Sequence, residues 1–112
     1  MRARFKLWIE EDDKLIFSGW RAELLEAIAE TGSLSEAASR LKIHFRSAWG
    51  RVHEMEQRLG VKLVETQVGG VGGGGARLTP AGSELLRKYR RLDADLAAEV
   101  ERRFAELFQV EE

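Results

Sequence analysis

The 112-residue sequence contains no cysteine, one proline and two histidines. Without cysteine it has no disulfides and no thiolate metal ligands. His44 and His53 lack a second pair of ligands to complete a metal shell. No apolar run approaches the roughly 20 residues of a membrane helix, and the apolar stretch after the basic N-terminus is too short for a signal peptide. We therefore expect a cytoplasmic protein with no cofactor and no membrane partner.

Acidic residues are missing from two stretches, residues 37–53 and 66–83, although the net charge of the whole chain is only −1. A local basic stripe on a near-neutral protein is typical of a nucleic-acid footprint. A solvated surface without a partner is the alternative interpretation. The basic residues of the two stretches are Arg40, Lys42, Arg46, Arg51 and Arg77.

The N-terminal third predicts a hairpin followed by a helix. Residues 5–9 alternate between apolar and polar side chains, and residues 15–17 form a second apolar run after an acidic turn, which favours two paired strands. Ser18 is a plausible N-cap and Gly32 a plausible end for the helix between them.

A helix-turn-helix is predicted next. Ser33 and Glu36 fit a capping box that begins a short helix, and the turn at residues 42–44 follows it. Apolar residues then recur at spacings of four, three and four, which predicts a third helix that ends near Gly60. These recurring residues are Ala48, Val52, Met55 and Leu59.

The glycine run at residues 69–75 has three possible interpretations. A nucleotide-binding loop would open directly into a helix, but residues 76–78 read as a strand and no Gly-Lys-Ser/Thr follows. A flexible linker would join two units, whereas only one helix follows. We therefore interpret residues 62–78 as two strands with a glycine-rich tip, the wing of a winged helix.

The last predicted element is a helix from Pro80 to about Phe108, with Thr79 as its N-cap. Its 29 residues would span about 43 Å, longer than the rest of the domain can cover. We expect the exposed apolar stripe to form a homodimer interface; a helix that folds back on its own core is the alternative. The stripe consists of Leu85, Tyr89, Leu92, Leu96, Val100, Phe104 and Leu107.

Two segments, GSLSEAASRLKIHFRSAWGRVHEME and VETQVGGVGGGGARLTPAG, resemble the N-terminal DNA-binding domain of the molybdate-responsive ModE family, a relative of the LysR-type winged helix. The resemblance covers about residues 18–86. It implies a dimer that binds double-stranded DNA through its third helix and its wing. It does not extend to the molybdate-binding domains of such regulators, so it implies no molybdate site, and no small-molecule effector is evident.

The expected fold is therefore mainly α with small β, a winged helix-turn-helix at residues 1–79 and a dimerisation helix at 80–112. The expected function is a homodimeric, sequence-specific transcriptional regulator that recognises an inverted-repeat operator. A winged-helix adaptor that binds only proteins is the alternative. No catalytic constellation can be picked out, so we expect no enzyme.

The third helix is expected to read DNA through its first turns, where arginine can recognise guanine. His44 could cap this helix or contact phosphate. Glu54 and Glu56, later in the helix, would repel phosphate, so that end should tilt away from DNA. The residues expected to contact DNA are Ser35, Arg40, Lys42, His44, Phe45, Arg46, Ser47, Gly50, Arg51, Gly69, Gly70, Val71, Gly72, Gly73 and Arg77.

Overall fold

The computed structural model describes residues 1–67 and 75–108 of the chain. Four helices and two two-stranded antiparallel sheets form the described part, which confirms a mainly α winged helix-turn-helix. The elements are β1 (Trp8–Glu11), β2 (Lys14–Ser18), α1 (Gly19–Thr31), α2 (Leu34–Arg40), α3 (Phe45–Leu59), β3 (Val64–Gln67), β4 (Gly75–Leu78) and α4 (Pro80–Phe108).

The N-terminal hairpin is shorter than the alternation in the sequence predicts. Glu11 pairs with Lys14 across a two-residue turn. Asp12 and Asp13 of that turn both have positive φ, at 51° and 62°, as a tight type I′ turn requires. The first strand begins at Trp8, not at Phe5, because Trp8 pairs with Ser18, the last residue before α1. No strand residue remains to pair with the segment before Trp8.

The ends of the first two helices follow their predicted caps. Ser18 Oγ accepts a hydrogen bond from the Arg21 amide at 3.3 Å, and Gly32 ends α1 in the left-handed conformation at φ 69°. Ser33 Oγ accepts from the Glu36 amide at 3.1 Å. The capping box is only half formed, since the Ser33 amide donates to Thr31 Oγ1 instead.

The hydrophobic core lies between the hairpin, the three helices of the helix-turn-helix and the base of the wing. Ala37 and Ala38 of α2 and Ala48 of α3 are buried in this core, where their small side chains permit close helix packing. The largest fully buried side chains are Phe17, Leu24, Leu25, Ile28, Met55, Leu63, Val52 and Val64.

The wing strands pair antiparallel, with Val64 opposite Leu78. The first strand begins at Val64 and not at residue 62, and the second begins at Gly75 and not at residue 76. The Ala76 amide donates to the Gly32 carbonyl at 2.9 Å, so the wing is attached to the end of α1. Thr79 caps α4: its Oγ1 accepts from the Gly82 amide at 3.0 Å and donates to the Lys62 carbonyl at 2.7 Å. These bonds fix α4 against the base of the wing.

The first turns of α4 belong to the core of the chain itself. Tyr89 is 3% exposed; its ring packs edge-on against Phe17 with centroids 5.1 Å apart, and its hydroxyl donates to the Leu7 carbonyl at 2.7 Å. Burial raises the pKa of this hydroxyl. Leu85 is half-buried against the same core. The assignment of Tyr89 to the dimer interface is therefore wrong, because the hairpin already covers this part of the stripe.

Candidate nucleic-acid interface

The turn between α2 and α3 fixes how α3 is presented to solvent. The Lys42 amide donates to the Ser39 carbonyl at 3.1 Å, and the Ile43 amide donates to the Ala38 carbonyl at 3.0 Å. Lys42 has φ 59°, in the left-handed region that most residues avoid. This closed turn leaves the Lys42 side chain exposed at the edge of α3.

The outward face of α3 is centred on Gly50. At about 100° per residue, Gly50 lies opposite the buried residues Ala48, Val52 and Met55. Among the described residues, a Cβ built on Gly50 would meet no atom within 4 Å outside the backbone of α3 itself. Tight packing within the protein therefore does not explain this glycine, which costs roughly 1 kcal/mol of helix stability relative to alanine.

The arginines predicted to contact DNA differ in their ionic partners. Arg46 and Arg51 are exposed, and neither forms an ion pair with any residue in the described ranges 1–67 and 75–108. Arg40, at the end of α2, pairs with Glu30 of α1. Arg77, on β4, pairs with Glu65 of β3 at 3.1 Å.

Three aromatic rings form a row along one flank of α3. Phe45 is 46% exposed and meets Trp49 edge-on, with centroids 6.3 Å apart. Half-buried Trp49 stacks on His53 at 4.5 Å. Trp49 also packs against the hydrophobic core, and His53 was considered above only as a metal ligand. The i, i+4, i+8 spacing of the three residues was the signal that would have revealed the row.

His44 occupies the N-cap of α3, but its side chain makes no capping hydrogen bond. The sequence-based interpretation of His44 as a ring-nitrogen cap is therefore wrong. Its imidazole is exposed at the start of the helix, where an anion would also meet the helix's free amides. Contact with phosphate is the remaining interpretation for this residue.

The carboxylates of Glu54 and Glu56 bind groups within the protein itself: Glu54 binds arginine side chains, and Glu56 binds backbone amides. Glu54 binds the guanidinium of Arg21 and lies 3.4 Å from that of Arg58. The hydrogen bond from Arg21, which is 5% exposed, holds the pKa of the Glu54 carboxyl below its ordinary value. Glu56 Oε2 accepts from the amides of Leu63 and Val64, at 2.8 and 3.1 Å. No local pattern predicts the role of Glu54, because Arg21 lies 33 residues away in the chain.

Residues 21–83 match the bacterial regulatory helix-turn-helix proteins of the lysR family. This chain belongs to that family. It is 38% identical to the DNA-binding transcriptional dual regulator ModE of Escherichia coli (strain K12) over 103 residues, which are 92% of this chain and 37% of that protein. It is 42% identical over 77 residues to the molybdenum-pterin-binding protein MopB of Rhodobacter capsulatus, over 69% of this chain and 28% of that one.

Solved structures support the same family assignment. The CbnR_DBD–DNA complex superimposes with a TM-score of 0.58 and 28% identity, covering 77% of this chain and 93% of that one. The lysR-family chain spans little more than a third of the length of the ModE protein. In residues 1–67 and 75–108, no helix has the length and apolar character needed to cross a membrane.

Two groups of residues predicted to contact DNA remain in this lysR-family chain: two serines on the helices and the residues of the wing tip. Ser35 and Ser47 are exposed on α2 and α3. The wing-tip residues lie outside the described residues: Gly69, Gly70, Val71, Gly72 and Gly73.

The distal half of α4 carries the rest of the apolar stripe. Leu92 is 43% exposed and Leu107 is 68% exposed, while Leu96, Val100 and Phe104 are half-buried. Soluble monomers seldom leave a long apolar stripe open to water.

Proposed function

We propose that this chain is a sequence-specific module that binds double-stranded DNA in a transcriptional regulator, and that it acts as a cytoplasmic homodimer and not as an enzyme. The observation that carries the proposal is the outward face of α3. There an open glycine lies between two exposed arginines, and neither arginine has an ionic partner in the described part of the chain.

The first turns of α3 enter the major groove in this proposal. Arg46 and Arg51 donate bidentate hydrogen bonds to guanine edges, the commonest specific contact of this kind. Gly50 lets the helix backbone approach the base pairs, since no side chain stands between them. Ser47 lies beside these residues and can donate to, or accept from, either base type.

Phosphate contacts surround this reading face. Arg40 and Lys42 flank α3 at the preceding turn, and Arg77 stands at the base of the wing. We assign the wing-tip residues 69–73 to backbone contacts with DNA, for which glycine leaves the amides accessible. Contacts of this kind set position and affinity, while contacts to base edges set sequence preference.

The homodimer is proposed to form through the distal part of α4. Tyr89 and Leu85 are left out of this interface, because both pack against the chain's own core. The remaining stripe is Leu92, Leu96, Val100, Phe104 and Leu107. Burial of each such side chain contributes roughly 1.5–3 kcal/mol, which can offset the entropy lost on association. A two-fold dimer presents two α3 helices, so the operator is an inverted repeat.

The test is a selection of binding sites from random duplex DNA, followed by titration of the selected site with Arg46→Ala and Arg51→Ala. Each substitution should weaken binding by about 1–3 kcal/mol and relax the preference at one base position. Arg91→Ala, an exposed arginine on α4, is the matched control and should bind as the wild type does. Unchanged affinity and base preference in both α3 variants would contradict the assignment of α3 as the reading helix.

A further inference from the structure

Two of the arginines assigned to phosphate contact are already bound to carboxylates. Arg40 is held by Glu30, and Arg77 is held by Glu65. Arg46 and Arg51, assigned to base reading, have no such partner within residues 1–67 and 75–108. The two classes of arginine therefore differ in the structure as well as in their assigned roles.

One pair joins α1 to α2, and the other joins the two strands of the wing. Glu30 lies in the last turn of α1 and Arg40 at the end of α2, and both side chains are about half exposed. Glu65 and Arg77 are register partners on the two wing strands, with Nε and Oε2 3.1 Å apart. Because both pairs are open to solvent, the arginines can be transferred to another anion without unfolding the chain.

We propose that Glu30 and Glu65 are positioning residues that compete with DNA phosphates for Arg40 and Arg77, and so lower the affinity of the chain for duplex DNA of any sequence. This inference rests on the proposed function. Carboxylate and phosphate oxygens bind a guanidinium in the same planar, hydrogen-bonded way. Neither glutamate belongs to α3, so the base preference is unaffected.

Counterion release gives the competition a measurable signature. An arginine that neutralises a phosphate releases a condensed cation, which adds about one unit to the slope of log affinity against log salt. When Arg40 leaves Glu30, the freed carboxylate attracts a cation from solution, and the net release is reduced. The same argument applies to Arg77 and Glu65. Each pair therefore flattens the salt dependence of binding as well as lowering the affinity.

The size of the effect follows from the exposure of the pairs. Exposed ion pairs are weak, and their loss changes an equilibrium by about 1.5- to 5-fold. Glu30→Gln and Glu65→Gln should each raise the affinity by that factor at fixed salt, for the selected operator and for random duplex alike. Each should also steepen the salt slope by up to about one unit, and the double variant should show both changes summed.

The experiment is a fluorescence-anisotropy titration of both duplexes at four salt concentrations. Glu99→Gln is the matched control: it removes the same charge from an ion pair with Arg102 on α4 and should leave affinity and slope unchanged. Arg40→Ala in the Glu30→Gln background separates competition from general charge, because the gain should disappear when the arginine is absent.

Three outcomes overturn the inference: both glutamine variants behave like Glu99→Gln, the gain survives in the Arg40→Ala background, or the operator gains affinity while random duplex does not. A wild-type chain that binds neither duplex contradicts the proposed function itself. That failure is distinguishable, because each of the three outcomes that overturn the inference requires a wild-type chain that binds DNA.

Discussion

Gly50 is the residue at which the stability of the free protein and the affinity for DNA should diverge. A Cβ added at this position meets no atom of the described residues outside the backbone of α3, and alanine is the better helix former by roughly 1 kcal/mol. Gly50→Ala should therefore raise the free energy of unfolding by about that amount in a urea titration. It should weaken DNA binding in the same preparation, because the methyl group separates α3 from the base pairs. Tighter or unchanged binding would contradict a close approach at this position.

Gly82 in α4 should respond in the opposite way. A Cβ here would collide with the backbone carbonyl of Leu63, which Thr79 holds through its amide at 2.9 Å. Gly82→Ala should lower the free energy of unfolding by about 1–3 kcal/mol, the usual range for overpacking a fixed neighbour. Urea unfolding of the two alanine variants side by side tests the contrast. A Gly82→Ala variant with a higher free energy of unfolding than the wild type would show that the base of the wing moves freely.

At the scale of elements, Arg21 and Glu54 anchor α3 to α1, and Arg58 extends the link by donating to the Leu15 carbonyl of β2. Glu54→Gln would leave the buried guanidinium without its counter-charge, which should cost about 1–3 kcal/mol of stability at pH 7. Arg21→Met removes the buried charge as well and should cost less.

The pH dependence of this anchor has a definite sign. The pKa of Glu54 in the folded state is lowered from its ordinary value of 4.5 by the hydrogen bond from Arg21. Its stabilising contribution is therefore complete above about pH 4.5 and is lost as the pH falls through the lower folded-state value. The stability gap between the wild type and Glu54→Gln should narrow between pH 5 and pH 3 in urea titrations. A gap that stays constant over this range would exclude the ion pair as its source.

At the scale of the whole molecule, the distal half of α4 should control assembly. The described part of the chain has principal extents of 59 × 32 × 23 Å, and the exposed Leu92 and Leu107 lie along the projecting helix. Leu96→Asp combined with Val100→Asp should convert a dimer to a monomer in sedimentation equilibrium, because two carboxylates would be buried in an apolar interface.

The control is a second double substitution, at two positions that have the same spacing as Leu96 and Val100 but lie on the opposite side of α4. Ala94→Asp with Ala98→Asp changes exposed positions and should leave the dimer intact. A wild type that sediments as a monomer at micromolar concentration would refute both the interface and the inverted-repeat operator. If both double variants dissociate, the helix contacts its partner around more of its circumference than one stripe.

The accuracy of the sequence-based predictions differs from one element to the next. Helix limits were predictable wherever the capping signal is local: Ser18, Gly32 and Thr79 act within one turn of their own position. The first strand was predicted too long, because its length depends on where the partner strand ends. Tyr89 carried the same helical periodicity as Leu92, and nothing local distinguished a side chain that packs on Phe17 from one that faces solvent.

The sequence by itself determined the order of elements, the helix-turn-helix and the long C-terminal helix, because capping residues and apolar periodicity act over a few residues. Only the tertiary structure decided which charges are available to a partner. The ion pairs of Arg21, Arg40 and Arg77 join residues 33, 10 and 12 positions apart. Such pairs depend on how elements pack against one another, so no local pattern encodes them.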